Sequence, residues 1–253
     1  MKAVIMAGGF GTRLRPLSCS IPKPMVYVAN KPMMEHIVNL LKKHGLIDLV
    51  VLLYFQAETI KRYFGDGSRF GVNIEYVQAQ EDYGTAGAVK NAQSLLDDRF
   101  LVISADVLTD IDLKGACDFH TNNQARATMV LARMENPLAY GVVITKEDGR
   151  ISRFLEKPTW GEVFSDTVNT GIYILEPGVL DLIPAKQDFD FSKDLLRLHN
   201  PQLLEGRGQP GGIFPGASGY SGGEGGDRDG WQSASPRTGQ LMGGEERAGG
   251  RES

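Results

Sequence analysis

The sequence predicts an α/β fold: a mostly parallel sheet with helices on both faces, followed by an anomalous Gly-rich tail. Three observations carry that expectation. Short β-branched apolar runs recur along the first two hundred residues, each the length of a strand buried on both faces. Helix-like segments fall between them, and this βαβα order argues for a largely parallel sheet covered on both sides. Near residue 200 the character changes: residues 201–253 hold 16 of the 31 glycines and no lysine, a composition that cannot bury a core.

Lys2 to Met6 reads as the first strand. Asn30-Lys31-Pro32 opens a helix, with proline tolerated in its first turn, and Gly45 closes it. Met33, Ile37, Leu40 and Leu41 share one face of that helix and point to the core. Strands are expected at Leu49 to Phe55, Val72 to Gln78 and Phe100 to Ser104, and helices at Glu58 to Phe64, Thr85 to Leu96 and Leu113 to Asn122. Further strands follow at Ala127 to Arg133, Gly141 to Thr145, Ile151 to Glu156 and Asn169 to Leu175, with a short helix from Gly178 to Ile183. The organisation expected is a domain over 1–197 and a tail over 198–253. That tail is either disordered or GC-rich coding sequence read out of frame after about Lys193, since glycine and arginine continue there without lysine.

Composition excludes several classes. The 253 residues are 42% apolar and 23% charged, with a net charge of −4, so no basic field suits nucleic acid or an anionic membrane. Cys19 and Cys117 are far apart, form no metal-type spacing and suit a reduced, cytoplasmic compartment. The first apolar run is only a strand long, so no signal peptide is expected, and no apolar stretch reaches the length of a membrane span. His36, His44, His120 and His199 lack a partnered serine or cysteine and read as surface or core residues.

The chemistry concentrates in the loops. Ala7-Gly8-Gly9-Phe10-Gly11-Thr12-Arg13-Leu14-Arg15 follows the first strand directly. Glycines there let backbone N–H groups approach a ligand, and two arginines offer forks for phosphate oxygens. The loop reads as a phosphate cradle. It is not the dinucleotide fingerprint, whose third glycine would fall at Leu14, nor a G-x-x-x-x-G-K-[ST] loop, because no glycine precedes Lys and then Ser or Thr. Asp106 follows a buried strand, where α/β proteins bind ligands and Mg²⁺ finds a carboxylate; an aspartate in that place also caps helices. Lys23 stands between Pro22 and Pro24, whose fixed φ angles would hold its backbone still. Gly84-Thr85-Ala86-Gly87 would open a helix with small residues and free N–H groups. Glu156 and Lys157 place an acceptor and a donor at a strand end before Pro158.

In order, AGGFGTRLRPLS, PKPM, GTAG, SADVL, FLEKP and NTGIY resemble the signature of the sugar-phosphate nucleotidylyltransferases over about residues 1 to 195. The mannose-1-phosphate guanylyltransferase (GDP-mannose pyrophosphorylase) branch is the most similar. The resemblance implies a Rossmann-like fold of the nucleotide-diphospho-sugar transferase type. It implies transfer of a nucleotidyl group from GTP to mannose 1-phosphate with release of pyrophosphate. NTP and sugar 1-phosphate would be the substrates and Mg²⁺ the cofactor, with neither nucleic acid nor membrane as a partner and a homo-oligomer left open. It also implies roles. Arg13 would meet the triphosphate, Lys23 the α-phosphate or the sugar phosphate, and Asp106 the metal. Gly8, Gly9, Gly11 and Thr12 would surround the phosphates, while Gly84, Thr85 and Gly87 would line the base. Gly141, Glu156, Asn169 and Thr170 would face the sugar, and Lys157 its phosphate.

Two departures accompany the match. The second metal aspartate, in a W-x-D-I-G-like stretch after NTGIY, has no counterpart, and Asp227 and Asp229 lie in the anomalous tail. Gln78 and Gln80 straddle the place of a base-contacting glutamine. The alternatives are a glucose-1-phosphate thymidylyl- or uridylyltransferase, or a truncated, inactive nucleotide-sugar binding protein.

Overall fold

A computed structural model describes residues 1–9, 11, 20–146, 151–156, 158–159, 161 and 165–195, with the backbone of 213–215. These belong to the unit Met1–Gly219. In chain order the strands are β1 (Lys2–Met6), β2 (Tyr27–Val28), β3 (Lys31–Pro32), β4 (Asp48–Leu53), β5 (Asn73–Gln78), β6 (Phe100–Ser104), β7 (Ala127–Arg133), β8 (Gly141–Thr145), β9 (Ile151–Glu156), β10 (Thr167–Leu175) and β11 (Ile213–Pro215). The α-helices are α1 (Met33–Lys43), α2 (Ala57–Phe64), α3 (Gly84–Lys90) and α4 (Leu113–Asn122).

The main sheet runs β11-β7-β10-β6-β1-β4-β5, with β8 and β9 attached through β10, and β2 and β3 form a separate ribbon. β1 pairs parallel with both β4 and β6, and β4 parallel with β5. β10 runs antiparallel to its neighbours β6 and β7. The sheet is therefore mixed but mostly parallel, as the sequence predicts. The backbone of β11 lies parallel to β7, so a strand pairs there within the segment expected as tail.

Period-two alternation divides the core. Ala3, Ile5, Leu49, Val51, Leu53, Leu101 and Ile103 face a cluster holding the apolar stripes of α1, α2 and α4. Val4, Val50, Leu52, Phe100 and Val102 face the other side, against Ala86 and Val89 of α3 and Val179, Leu180 and Phe191. Successive side chains on a strand point to opposite faces, so these continuous apolar runs require cover on both. Burying each of the larger side chains stabilises by about 1.5–3 kcal/mol.

Local signals set the element ends. Gly45, at φ +79, closes α1; Leu46 N–H donates to Leu41 O and Gly45 N–H to Lys42 O, both at 2.9 Å, the paired bonds of a Schellman end. Asp112 caps α4 by accepting from Gly115 N–H at 3.1 Å. Two predicted helices differ. α3 stops at Lys90 and a 3-10 turn follows at Gln93–Leu95. The buried series Val89, Ala92, Leu96 suits a continuous helix and this broken one alike, so spacing could not separate them. The segment Pro177–Leu182 is likewise 3-10 rather than α.

Among the described residues, no helix is long and apolar enough to cross a membrane.

Candidate active site

A cleft of about 330 Å³ opens beyond the carboxyl ends of β1, β4, β5 and β6. Chain order reverses at β1, with β4 on one side and β6 on the other, and such a switch point leaves a crevice for a ligand in an open α/β sheet. The cleft gathers Gly8, Gly9, Lys23, Gly84, Thr85 and Asp106 into one wall.

Each side of that wall has a local cause. The ladder continues past β1 through Ala7 N–H to Leu52 O (2.9 Å) and Ala105 N–H to Met6 O (3.0 Å). Gly8 and Asp106 therefore leave the sheet side by side. A Cβ on Gly8 would stand 3.2 Å from that of Tyr54, which leaves little room for a side chain where the chain passes the end of β4. Lys23 starts a 3-10 turn, Lys23–Met25, after Pro22 at φ −65; Pro24 and Met25 are buried and anchor the turn. From there the ammonium of Lys23 donates to Asp106 Oδ2. The side chains of this ion pair remain 31% and 35% exposed, within reach of a ligand.

The start of α3 departs from expectation. Its N–H groups are not free: Gly84 N–H donates to Asp82 Oδ1 at 3.1 Å, and Ala86 and Gly87 N–H both donate to Phe189 O. It offers the cleft a small-residue surface and Thr85. Gly84 stands at φ +67, and a Cβ there would strike Asp188 and Phe189. Gly87 is buried beneath the wall, where a Cβ would come within 2.6 Å of Gln187 O.

The residues expected to face the sugar lie outside the cleft wall, on β8 to β10. Gly141 pairs across strands with Glu156, and a Cβ on it would strike the Phe154 ring and approach Glu156 Oε2 to 3.2 Å. Asn169 is committed internally: its Nδ2 donates to Tyr173 Oη (2.7 Å) and Ser192 Oγ (3.1 Å), and its Oδ1 accepts from Gly171 N–H (2.9 Å). The Thr170 hydroxyl donates to Val130 O at 2.8 Å. The Asn169–Gly171 bend still adjoins the cleft, because a Cβ on Gly171 would lie 3.2 Å from Ser104 Oγ and Ser104 lines it. Gly11 is described at φ +62. Thr12, Arg13 and Lys157 lie outside the described residues.

Several lining residues were missed from sequence. Tyr54 and Ser104 sit at or just past strand ends, a position that could have flagged them. Asp190 also lines the cleft; 84 residues beyond Asp106 in the chain, it joins the wall only through the fold. Its Oδ2 accepts from Thr85 Oγ at 2.9 Å, and its Oδ1 accepts from Ser192 and Lys193 N–H at 2.8 and 3.1 Å.

The nucleotidyl transferase family profile matches residues 2–206. The chain belongs to that family. A UTP–glucose-1-phosphate uridylyltransferase from Synechocystis is 42% identical over 219 residues, 81% of this chain and 55% of its own length. A mannose-1-phosphate guanyltransferase from Yarrowia lipolytica is 41% identical over 194 residues, 74% of this chain and 52% of its own. The chain thus spans about half the length of these curated relatives. Among solved structures, HddC from Yersinia pseudotuberculosis complexed with GMP-PN superposes with a TM-score of 0.71 at 25% identity, covering 85% of this chain and 89% of that one.

For a nucleotidyl transferase the charge of the cleft matters. Its described wall carries Glu81, Asp82, Asp106 and Asp190 but a single lysine, Lys23. An anionic ligand entering it would need added positive charge. No group of three or more metal-binding side chains occurs among the described residues. A magnesium ion does not require one, since it keeps several waters and takes one or two carboxylates plus substrate phosphates. Asp106 fits that donor set, whereas both carboxylate oxygens of Asp190 already accept hydrogen bonds within the wall.

Proposed function

We propose that this chain catalyses nucleotidyl transfer from an NTP to a sugar 1-phosphate, with GTP and mannose 1-phosphate as the preferred pair. The observation that carries this reading is the half-exposed Lys23–Asp106 pair, set in one cleft between Gly8-Gly9 and Gly84-Thr85. In the reaction a phosphate oxygen of the sugar 1-phosphate attacks the α-phosphorus. A new P–O bond forms, the α–β bridge breaks, and pyrophosphate leaves with the electron pair. The substrate is its own nucleophile, so positioning and charge neutralisation are what the protein must supply.

Lys23 releases Asp106 and turns its ammonium toward the α-phosphate or the incoming sugar phosphate. Arg13 would hold the triphosphate, and Gly8 and Gly9 let it lie against the backbone. Asp106 would hold Mg²⁺, which when bound supplies Lewis-acid neutralisation of the phosphate oxygens. Gly84 and Thr85 shape the nucleotide side of the cleft. Glu156, Asn169 and Thr170, on the strands beside it, would form the sugar side, with Lys157 meeting the sugar phosphate.

The choice of GTP and mannose 1-phosphate is supported by the YGVV, RFLEKP and VNTGIYIL runs and by the Yarrowia relative. The Synechocystis relative favours a second pair, UTP and glucose 1-phosphate. Pyrophosphate release with Mg²⁺, across GTP, UTP, dTTP, ATP and CTP with either sugar phosphate, decides between them. Turnover with GTP and mannose 1-phosphate supports the reading, and turnover with UTP and glucose 1-phosphate replaces the substrates. Nucleotide binding without any pyrophosphate would make the chain a binding protein.

A further inference from the structure

We propose that Asp190 is a positioning residue that sets the nucleotide-facing wall of the cleft through Thr85, a role that rests on the nucleotidyl-transfer reading above. Gly84 to Gly87 cannot hold its shape alone, because two glycines leave the backbone permissive and its N-cap residue, Tyr83, makes no side-chain cap. The segment Gln187 to Phe191 supplies what is missing. Phe189 O accepts from Ala86 and Gly87 N–H at 2.9 and 3.0 Å, and Phe189 N–H donates to Tyr83 O at 3.0 Å. Thr85 Oγ then closes the junction from both directions, donating to Asp190 Oδ2 and accepting from Phe191 N–H, each at 2.9 Å.

Asp190 is itself held in place. Its other oxygen accepts from Ser192 and Lys193 N–H, and its own N–H donates to Asp194 Oδ2 at 2.8 Å. The neighbouring Phe191 is buried and stacks on Tyr173, with ring centroids 4.7 Å apart. Ser192 Oγ accepts from Asn169 Nδ2 at 3.1 Å. One short segment therefore ties the nucleotide wall at Thr85 to the Asn169–Gly171 bend on the sugar side. Three donors converge on the Asp190 carboxylate, and an amide has only one acceptor oxygen to offer them. Asp190→Asn therefore keeps the shape and loses at least one of these bonds.

The test titrates GTP and, in parallel, UTP into the full chain by calorimetry, without sugar phosphate. The variants are Asp190→Asn, Thr85→Val, their double and Thr85→Ser. Thr128→Val, which breaks a polar contact among the buried residues around His120, serves as a stability control. The expected result is a Kd about tenfold or more higher for Asp190→Asn and for Thr85→Val. Thr85→Ser should restore it, and the double variant should lose no more than the worse single change, because the two act through one contact. In steady-state turnover the nucleotide KM should rise while kcat stays within about threefold.

Unchanged binding in Thr85→Val and Asp190→Asn overturns the proposal, as does a double variant that sums both losses. An equal loss in Thr128→Val at matched thermal stability also overturns it, by showing only general loosening. A wild-type chain that binds none of GTP, UTP, dTTP, ATP and CTP fails the functional reading itself and removes the proposal with it. If Asp190→Asn does not fold, the Thr85 Val and Ser pair still decides.

Discussion

Strand β6 carries a polar cluster beyond each end, and the two differ in what they enclose. At its carboxyl end Lys23 and Asp106 face each other across an open cleft, each about a third exposed. At its amino end the His120 side chain is fully buried, with Nδ1 2.8 Å from Thr128 Oγ and Nε2 3.2 Å from Glu176 Oε1. Arg99 Nε donates to that same glutamate oxygen at 2.7 Å and its NH1 to Thr121 Oγ at 2.7 Å. The Arg99–Glu176 pair is as exposed as Lys23–Asp106, at 30% and 34%, but its hydrogen bonds close around the buried imidazole and hold β6, β7, β10 and α4 together. The carboxyl-end pair lines the cleft instead and can exchange partners. Polar groups knitted around a buried side chain serve the fold, whereas a charged pair lining a cleft can turn to a ligand.

The largest effect should come from breaking the carboxyl end. Asp106→Ala or Lys23→Ala should lower turnover by about 10²–10³-fold, the scale of removing one group that stabilises developing charge. The thermal midpoint should move little, because these side chains contribute little buried contact. Steady-state kinetics beside a melting curve checks both halves.

Breaking the amino end should do the reverse. Glu176→Ala leaves Arg99 Nε and the buried His120 Nε2 without their acceptor, and about 1–3 kcal/mol of stability should be lost. Turnover per folded molecule should hold, as chemical denaturation and active-site titration would show.

Beside the carboxyl end stands Gly171, at φ +76 and against Ser104. Gly171→Ala should cost on the order of 1 kcal/mol or more, since the left-handed backbone strains any other residue. The sugar-phosphate KM should rise with it, and a loss of stability alone would detach this bend from the site.

The smallest effect is a pH slope. Burial pushes the His120 pKa down, against the opposing pull of Glu176. The unfolded chain therefore binds more protons than the folded one below about pH 6.5, and stability should fall as pH drops through that window. Melting curves from pH 7.5 to 5 should show the slope, and His120→Gln should flatten it.

The sequence made β1 and β6 legible, and with them the place of Gly8 and Asp106 at the cleft, because a continuous apolar run ending in glycine or aspartate carries both its burial and its exit from the sheet in consecutive residues. Phe100 to Ser104 followed by Asp106 is the clearest instance. The GTAG N–H groups, expected free at a helix start, are taken, because the acceptor of two of them, Phe189 O, comes from a distant segment that no local pattern links to them. Asp190 was invisible for the same reason. His120, read only as surface or core, becomes interpretable once Thr128 of β7 and Glu176, just past β10, are brought to it. Spacing reports which face a residue occupies; it does not report which remote backbone will meet it there.

The most direct measurement compares pyrophosphate release by wild type, Asp106→Asn and Glu176→Gln at equal folded fraction, with Mg²⁺, GTP and mannose 1-phosphate, and with UTP and glucose 1-phosphate in parallel. The account predicts release by wild type and Glu176→Gln with at least one pair, and a loss of about 100-fold or more in Asp106→Asn. Equal rates in wild type and Asp106→Asn, or equal losses in the two variants, would contradict it.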